Sequence, residues 1–180
     1  NKSVIANRFQ SIQDSICKNL EELDGASTFQ EDLWEREGGG GGRTRILQNG
    51  GLIEKGGVNF SAVHGVLPEN IKTALGVDST AFYATGVSIV LHPKSPLVPI
   101  IHMNIRYFEI DEKTWWFGGG VDVTPHYIVN EDAKGFHKEI KDLCDKYNSK
   151  FYPKYKTWAD DYFFIKHRNE TRGIGGLFFD

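Results

Sequence analysis

The order of the apolar patterns predicts an α+β fold built on an antiparallel sheet, and three observations carry that prediction. A helical stripe opens the chain, a run of strand-like segments follows, and helical spacing returns after Pro125. The connections between the later strand-like segments are too short for the crossovers that parallel strands need. No internal repeat is visible, and 180 residues suit a single domain over 1–180.

Taken in order, Val4, Ile5, Phe9, Ile12, Ile16, Leu20 and Leu23 recur at steps of three and four. That spacing predicts a helix over 4–23, with Ser3 as its N-cap and Gly25 as its stop. Residues 31–43 contain five consecutive glycines at 38–42 and read as a flexible loop. The competing reading is an anion site, in which bare backbone N–H groups stand beside Arg43 and Arg45. The pattern of a Walker-type phosphate loop is not matched, because no Lys-Ser or Lys-Thr follows the glycines. Residues 44–64 read as strands around a turn at Asn49-Gly50-Gly51. Pro68 opens a short helix over 68–75. Segments 81–91, 99–110 and 114–121 are rich in β-branched and aromatic residues and read as three antiparallel strands. Phe136, Ile140, Leu143 and Cys144 predict a helix over 131–147. Tyr155, Trp158, Tyr162 and Ile165 predict another over 154–168. The sequence stops directly after Leu177-Phe178-Phe179 and Asp180, where domains rarely end, so a continuing polypeptide is expected.

Composition narrows the function classes. Lys and Arg number 21 against 24 Asp and Glu, a formal charge of −3, so neither nucleic acid nor an acidic membrane is attracted by net charge. No apolar run approaches the roughly 20 residues of a membrane span. The two cysteines, Cys17 and Cys144, are too few for a disulfide framework or a CxxC metal site, and they favour a reducing compartment. Twenty glycines, many clustered beside aromatic residues, suggest a chain shaped around something bulky.

Candidate chemistry lies on the strands. His102, Asn104 and Arg106 fall at i, i+2 and i+4 and therefore share one face. That face either meets water or lines a polar pocket. Ser88 and His92 share phase on the preceding strand, so pairing of the two would give one polar floor of Ser88, His92, His102, Asn104 and Arg106. Gly118, Gly119 and Gly120 mark a bulge or the close approach of another surface. Asp122 follows them, either at the mouth of the sheet or as a turn residue before Thr124-Pro125. The segment from His167 to Gly176 is basic and glycine-rich, a second candidate anion loop. None of the six histidines forms an HxH, HxxxH or HExxH pair, and His137 and His167 read equally as packing residues. No nucleophile elbow or dinucleotide fingerprint is present. The residues together predict a binder of a large, polyanionic, partly apolar ligand, with arginines for its carboxylates.

Several long stretches then resemble one family. They are Trp34-Glu35-Arg36 with the glycine run, Glu54-Lys55-Gly56-Gly57-Val58-Asn59-Phe60-Ser61, and residues 102–109, 115–125 and 160–180. The chain resembles oxygen-dependent coproporphyrinogen III oxidases of haem biosynthesis over nearly everything after the first helix. The resemblance implies a large antiparallel sheet flanked by helices, working as a homodimer, of which 1–180 would be the N-terminal two-thirds. It implies oxidative decarboxylation of two propionates of coproporphyrinogen III to vinyls, with molecular oxygen as co-substrate and no organic cofactor. Ser88, Asn104, Ile105 and Arg106 match substrate-contacting segments, and Arg172 matches an arginine holding a propionate. His102 matches a proton donor and Asp122 the acidic residue that engages pyrrole N–H groups, giving a catalytic set of His102, Asp122 and Arg106. His92, His102, His137 and His167 match divalent-metal ligands of bacterial members, although no metal requirement is expected. A cytoplasmic location is expected, or a mitochondrial one for a eukaryotic source. The alternative is a non-catalytic fragment that binds a tetrapyrrole or another polyanion.

Overall fold

The structure, a computed structural model, describes residues 2–77 and 81–180. Helix α1 (Lys2–Asp24) is followed by strands β1 (Gln30–Glu35), β2 (Gly40–Gln48) and β3 (Ile53–Val66). A short helix α2 (Glu69–Leu75) precedes β4 (Ala81–Pro93), β5 (Ile100–Glu109) and β6 (Trp115–Thr124). Helices α3 (Asn130–Asp145) and α4 (Phe151–Tyr162) come next. The small strands β7 (Phe164–Ile165) and β8 (Glu170–Thr171) pair with each other, and β9 (Gly176–Phe179) ends the order. Seven strands form one antiparallel sheet in the order β1-β2-β3-β4-β5-β6-β9. The predicted α+β architecture is therefore present, a large antiparallel sheet with helices.

Period-two alternation gives this sheet two unlike faces. On one, Val58, Ile89, Met103, Val121 and Leu177 align across five strands. α1 covers the β3–β4 end, where Phe9 and Cys17 join Val58, Phe60, Val87, Ile89, Leu91 and Tyr107. α3 and α4 cover the β6–β9 end, where Ile140 and Cys144 meet Leu177, with Val121, Phe136 and Tyr155 around them. Burying these apolar rows is the main stabilising term, at roughly 1.5–3 kcal/mol for each fully buried large side chain. The opposite face carries Asn59, Ser88 and Asn104 in one row and Ser61, Gly86 and Arg106 in the next.

Four local expectations are corrected. The glycines at 40–42 are not a loop. They begin β2, with Trp34 paired to Gly42 and Glu35 to Gly41, and only the turn before them is irregular, with Gly39 and Gly40 at φ 111° and 84°. A Cβ on Gly42 would run into the Trp34 indole, so the close approach of that ring requires glycine there. Arg43 and Arg45 do not await an anion. Arg43 donates to Asp14 Oδ1 at 2.7 Å and to Gln13 Oε1 at 2.7 Å, and Arg45 meets Asp14 and Glu31 at 2.8 Å each. The helix expected over 154–168 spans Phe151–Tyr162 instead, and the rest of that segment forms the β7–β8 hairpin. Ser3 lies inside α1 rather than capping it, whereas Gly25 does stop the helix, at φ 67°.

Candidate active site

The polar face of the sheet forms an open basin of about 780 Å³. Asn59, Ser61, Ser88, Asn104 and Arg106 line it, with Trp34 at one side. Ser88 pairs with Asn104 and Gly86 with Arg106, so the polar floor expected from strand phase is assembled as the alternation required. His92 and His102 share this face through the same register. Gly86 stands opposite Arg106 on one side and Gly118 on the other, which leaves the guanidinium without side-chain neighbours along its strand row. Ile105 alternates to the other face and packs with the core cluster, so it borders the basin through its backbone.

Arg106 is held in three ways. Its Nη1 donates to Asn104 Oδ1 at 2.7 Å, its Nη2 donates to Asp180 Oδ2 at 2.7 Å, and its guanidinium lies 5.7 Å from the Phe178 ring centre. Trp116 donates Nε1–H to the other Asp180 oxygen at 2.8 Å.

A second cluster sits at the β6–β9 end. Asp122 pairs with His102 across β5 and β6, and the His102 Nδ1 lies 3.2 Å from Asp122 Oδ2 without hydrogen-bond alignment. Arg172, 50 positions away, donates from Nη2 to both Asp122 oxygens at 3.1 and 3.0 Å. Its guanidinium stacks over Phe163 at 4.3 Å, and its Nε is buried without a partner. The Asp122 carboxylate is 3% exposed. It therefore does not stand open at the mouth of the sheet but lies under Arg172. An ionised carboxylate at that depth needs such a charged partner. In the second candidate anion loop Arg172 is already on a carboxylate, and the exposed Arg168 is paired with Glu170.

His92, His102, His137 and His167, which match metal ligands of bacterial members, form no ion-binding cluster among the described residues: no three His, Cys, Asp or Glu side chains gather around a point that could hold an ion. His167 is exposed in the β7–β8 turn. His137 has both ring nitrogens engaged, Nε2 with the Ile174 carbonyl at 2.9 Å and Nδ1 with the Tyr152 hydroxyl at 3.0 Å. The residues present do not fit a four-histidine site.

Sequence reasoning missed Asp180, Trp116 and Tyr152. Asp180 carried a signal that pattern reading does not weigh, a carboxylate ending the apolar run of a strand. The contacts of Trp116 and Tyr152 depend on packing between distant segments.

Comparison with known proteins gives the family of the chain. The profile of the family described as Coproporphyrinogen III oxidase matches residues 4–180. The chain is 49% identical to Coproporphyrinogen-III oxidase 1, chloroplastic, of Arabidopsis thaliana, over 99% of this chain and 51% of that protein. It is 51% identical to the oxygen-dependent coproporphyrinogen-III oxidase of Prochlorococcus marinus strain MIT 9515, over 97% of this chain and 51% of that one. A relative from Glycine max, also named oxygen-dependent and chloroplastic, is 51% identical over 93% of this chain and 48% of its own. The chain spans about half the length of the curated relatives it matches.

Proposed function

Since the chain belongs to the coproporphyrinogen III oxidase family, we propose that it carries the substrate face of an oxygen-dependent coproporphyrinogen III oxidase. The single observation that carries the reading is the basin itself. It sets an arginine fork at Arg106 on a polar floor, and on the same sheet face, outside its lining, Asp122 is paired with Arg172 and has His102 alongside.

The reaction's balance fits residues of this kind. Each propionate (R–CH2–CH2–COO⁻) loses carbon dioxide, a proton and two electrons to become a vinyl group. Oxygen takes the two electrons and two protons to give hydrogen peroxide. One proton is consumed per propionate overall. The reduced pyrrole is itself the electron source, so the protein's work is to bind, orient and move protons. Arg106 holds a propionate by paired N–H donors, with Asn104 and Ser88 beside it. Arg172 leaves Asp122 to take another substrate carboxylate. Its departure uncovers Asp122, which then accepts pyrrole N–H groups and acts as base, while His102 at its side supplies the proton. The burial of Asp122 supports this exchange, because nothing as large as a macrocycle reaches that carboxylate while Arg172 covers it.

The homodimer and the cytoplasmic location expected above belong to the same proposal. Among the described residues no helix is long and apolar enough to cross a membrane, and the plant relatives are chloroplastic by name. Assay of the full-length protein with coproporphyrinogen III under air tests the reading, with vinyl product, carbon dioxide and peroxide expected together. Tight binding of the tetrapyrrole without turnover would support the non-catalytic alternative instead. Sedimentation of the same sample tests the dimer.

A further inference from the structure

We propose that His137 is a positioning residue, which fixes the loop carrying Arg172 through the carbonyl of Ile174 rather than binding a metal. The inference rests on the reading that Arg172 and Asp122 meet the substrate.

The loop needs such a hold. Gly173 and Gly175 flank Ile174 with φ of 60° and 74°, a conformation that L side chains rarely adopt. Glycine is required at both places for reasons of space as well. A Cβ on Gly173 would strike the Val123 carbonyl, and one on Gly175 would come within 2.7 Å of Asp160 Oδ1. Two such glycines in four residues leave the segment free to move unless its backbone is tied. It is tied on both sides of Ile174. The Ile174 N–H donates to the Val123 carbonyl of β6 at 3.2 Å, and the Ile174 carbonyl accepts from His137 Nε2 of α3 at 2.9 Å. Just before, the Arg172 N–H donates to the Phe163 carbonyl at 3.1 Å, beside the ring on which its guanidinium stacks.

His137 suits the task because its own orientation is set. A carbonyl only accepts, so Nε2 carries the proton and Nδ1 is left as the acceptor. The Tyr152 hydroxyl of α4 donates to that nitrogen at 3.0 Å, with the two rings edge to face. A chain of contacts thus runs from Tyr152 through His137 and Ile174 to Arg172 and Asp122. The helices α3 and α4, the glycine loop and β6 meet in it. A metal bond at His137 would require one of these two hydrogen bonds to be given up.

The test uses the full-length protein and four variants, one of them a double substitution. Glutamine at 137 can donate its amide to Ile174 and accept from Tyr152, but it is a poor metal ligand. His137→Gln is therefore expected to keep kcat/KM within about threefold of the parent, whereas His137→Leu loses about tenfold or more, the scale on which misplacement of a catalytic group is felt. Amide hydrogen exchange at 172–175 should accelerate in His137→Leu and not in His137→Gln, a readout that does not depend on turnover. In an Arg172→Ala background, His137→Leu should add no more than about twofold, since both act on one contact. Equal loss in the Gln and Leu variants, or full additivity with Arg172→Ala, overturns the proposal. So does unchanged exchange at 172–175 in His137→Leu. A parent protein that does not convert coproporphyrinogen III defeats the functional reading alone, and the exchange result still decides whether His137 holds the loop.

Discussion

Arg106, at the edge of the basin, meets Asp180, Nη2 to Oδ2 at 2.7 Å, although 74 positions separate them. A carboxylate therefore already occupies one prong of the arginine fork, and the Trp116 indole N–H at 2.8 Å fixes it there. A substrate propionate would compete with or join this internal one. The pair is about one-third exposed on each side, so its attraction is screened by water and is weak by itself. An arriving tetracarboxylate can displace it.

Arg106→Ala in the full-length enzyme is expected to weaken substrate binding by roughly 2–5 kcal/mol, the scale for leaving a desolvated charge without its partner. Asp180→Asn should act in the other direction and lower KM, because the competing charge is gone. Steady-state kinetics on both variants checks this. Unchanged KM and kcat in Arg106→Ala would remove that residue from the substrate site.

Asp24 governs stability in acid. It closes α1 and is buried, accepting backbone N–H groups of Gly51, Leu52 and Ile53 at 2.9 Å each, with Ser27 and Ala26 at longer range. Burial alone would raise its pKa, but the N–H groups of Ile53, Gly51, Leu52 and Ala26 outweigh it and bring the group from 3.8 to about 2. The folded value lies below the unfolded one. Its stabilisation is therefore complete above about pH 4 and is lost as pH falls through about 2. Denaturant unfolding across that range should show a steep loss in the parent that is flattened in Asp24→Asn. At neutral pH that variant should be less stable by about 2 kcal/mol, the scale for hydrogen bonds to a charged group. A parent-like curve would remove Asp24 as the clamp.

Gln13 is fully buried, a polar residue set between Phe9 and Cys17 on the buried side of α1. Its Nε2 donates to the carbonyls of Arg43 and Val58 at 2.8 and 2.7 Å, and its Oε1 accepts from Arg43 Nε at 2.7 Å. Gln13→Leu would leave these groups under α1 without partners. A loss of roughly 1–3 kcal/mol is expected in a chemical denaturation experiment, the cost of unsatisfied buried polar groups. Gln13→Glu should be destabilised as well, since Arg43 keeps an acceptor but a carboxylate oxygen then faces both carbonyls.

What was legible in the sequence was whatever a short period records. The alternation of Ser88 and His92, and of His102, Asn104 and Arg106, put the right side chains on the right face, and the register confirmed it. The glycine run misled because the low strand propensity of glycine is a local signal, while its pairing with Trp34 and Glu35 is a tertiary fact. Arg43 and Arg45 misled in the same way, since their partners, Asp14 and Glu31, belong to other elements. β9 has four residues, too few to show a period, and its partner β6 lies more than fifty positions earlier. The contact of Arg172 with Asp122 depends on that pairing, which explains why both residues matched the family separately and their union did not show.

Asp122 gives the sharpest prediction. Its carboxylate is buried, paired in both oxygens with Arg172 and 3.2 Å from His102. If Arg172 moves to a propionate when substrate enters, Asp122 is left as a charged acceptor beneath the pyrrole nitrogens, with His102 as its only close ionisable neighbour among these groups. Asp122→Asn keeps the shape and removes the base. Substrate affinity should be largely retained, because the proposed function gives the carboxylates to the arginines and not to Asp122. Turnover should fall by about two orders of magnitude or more, the scale of a positioned acid–base group. Arg172→Ala should show a different pattern, with KM raised as a propionate loses its partner and kcat reduced as Asp122 loses its resting counter-ion. Kinetics that separate KM from kcat distinguish the two roles. Normal turnover in Asp122→Asn reduces Asp122 to a structural partner of Arg172. Lost affinity with kcat intact makes it an anchor and places the base elsewhere on the same face.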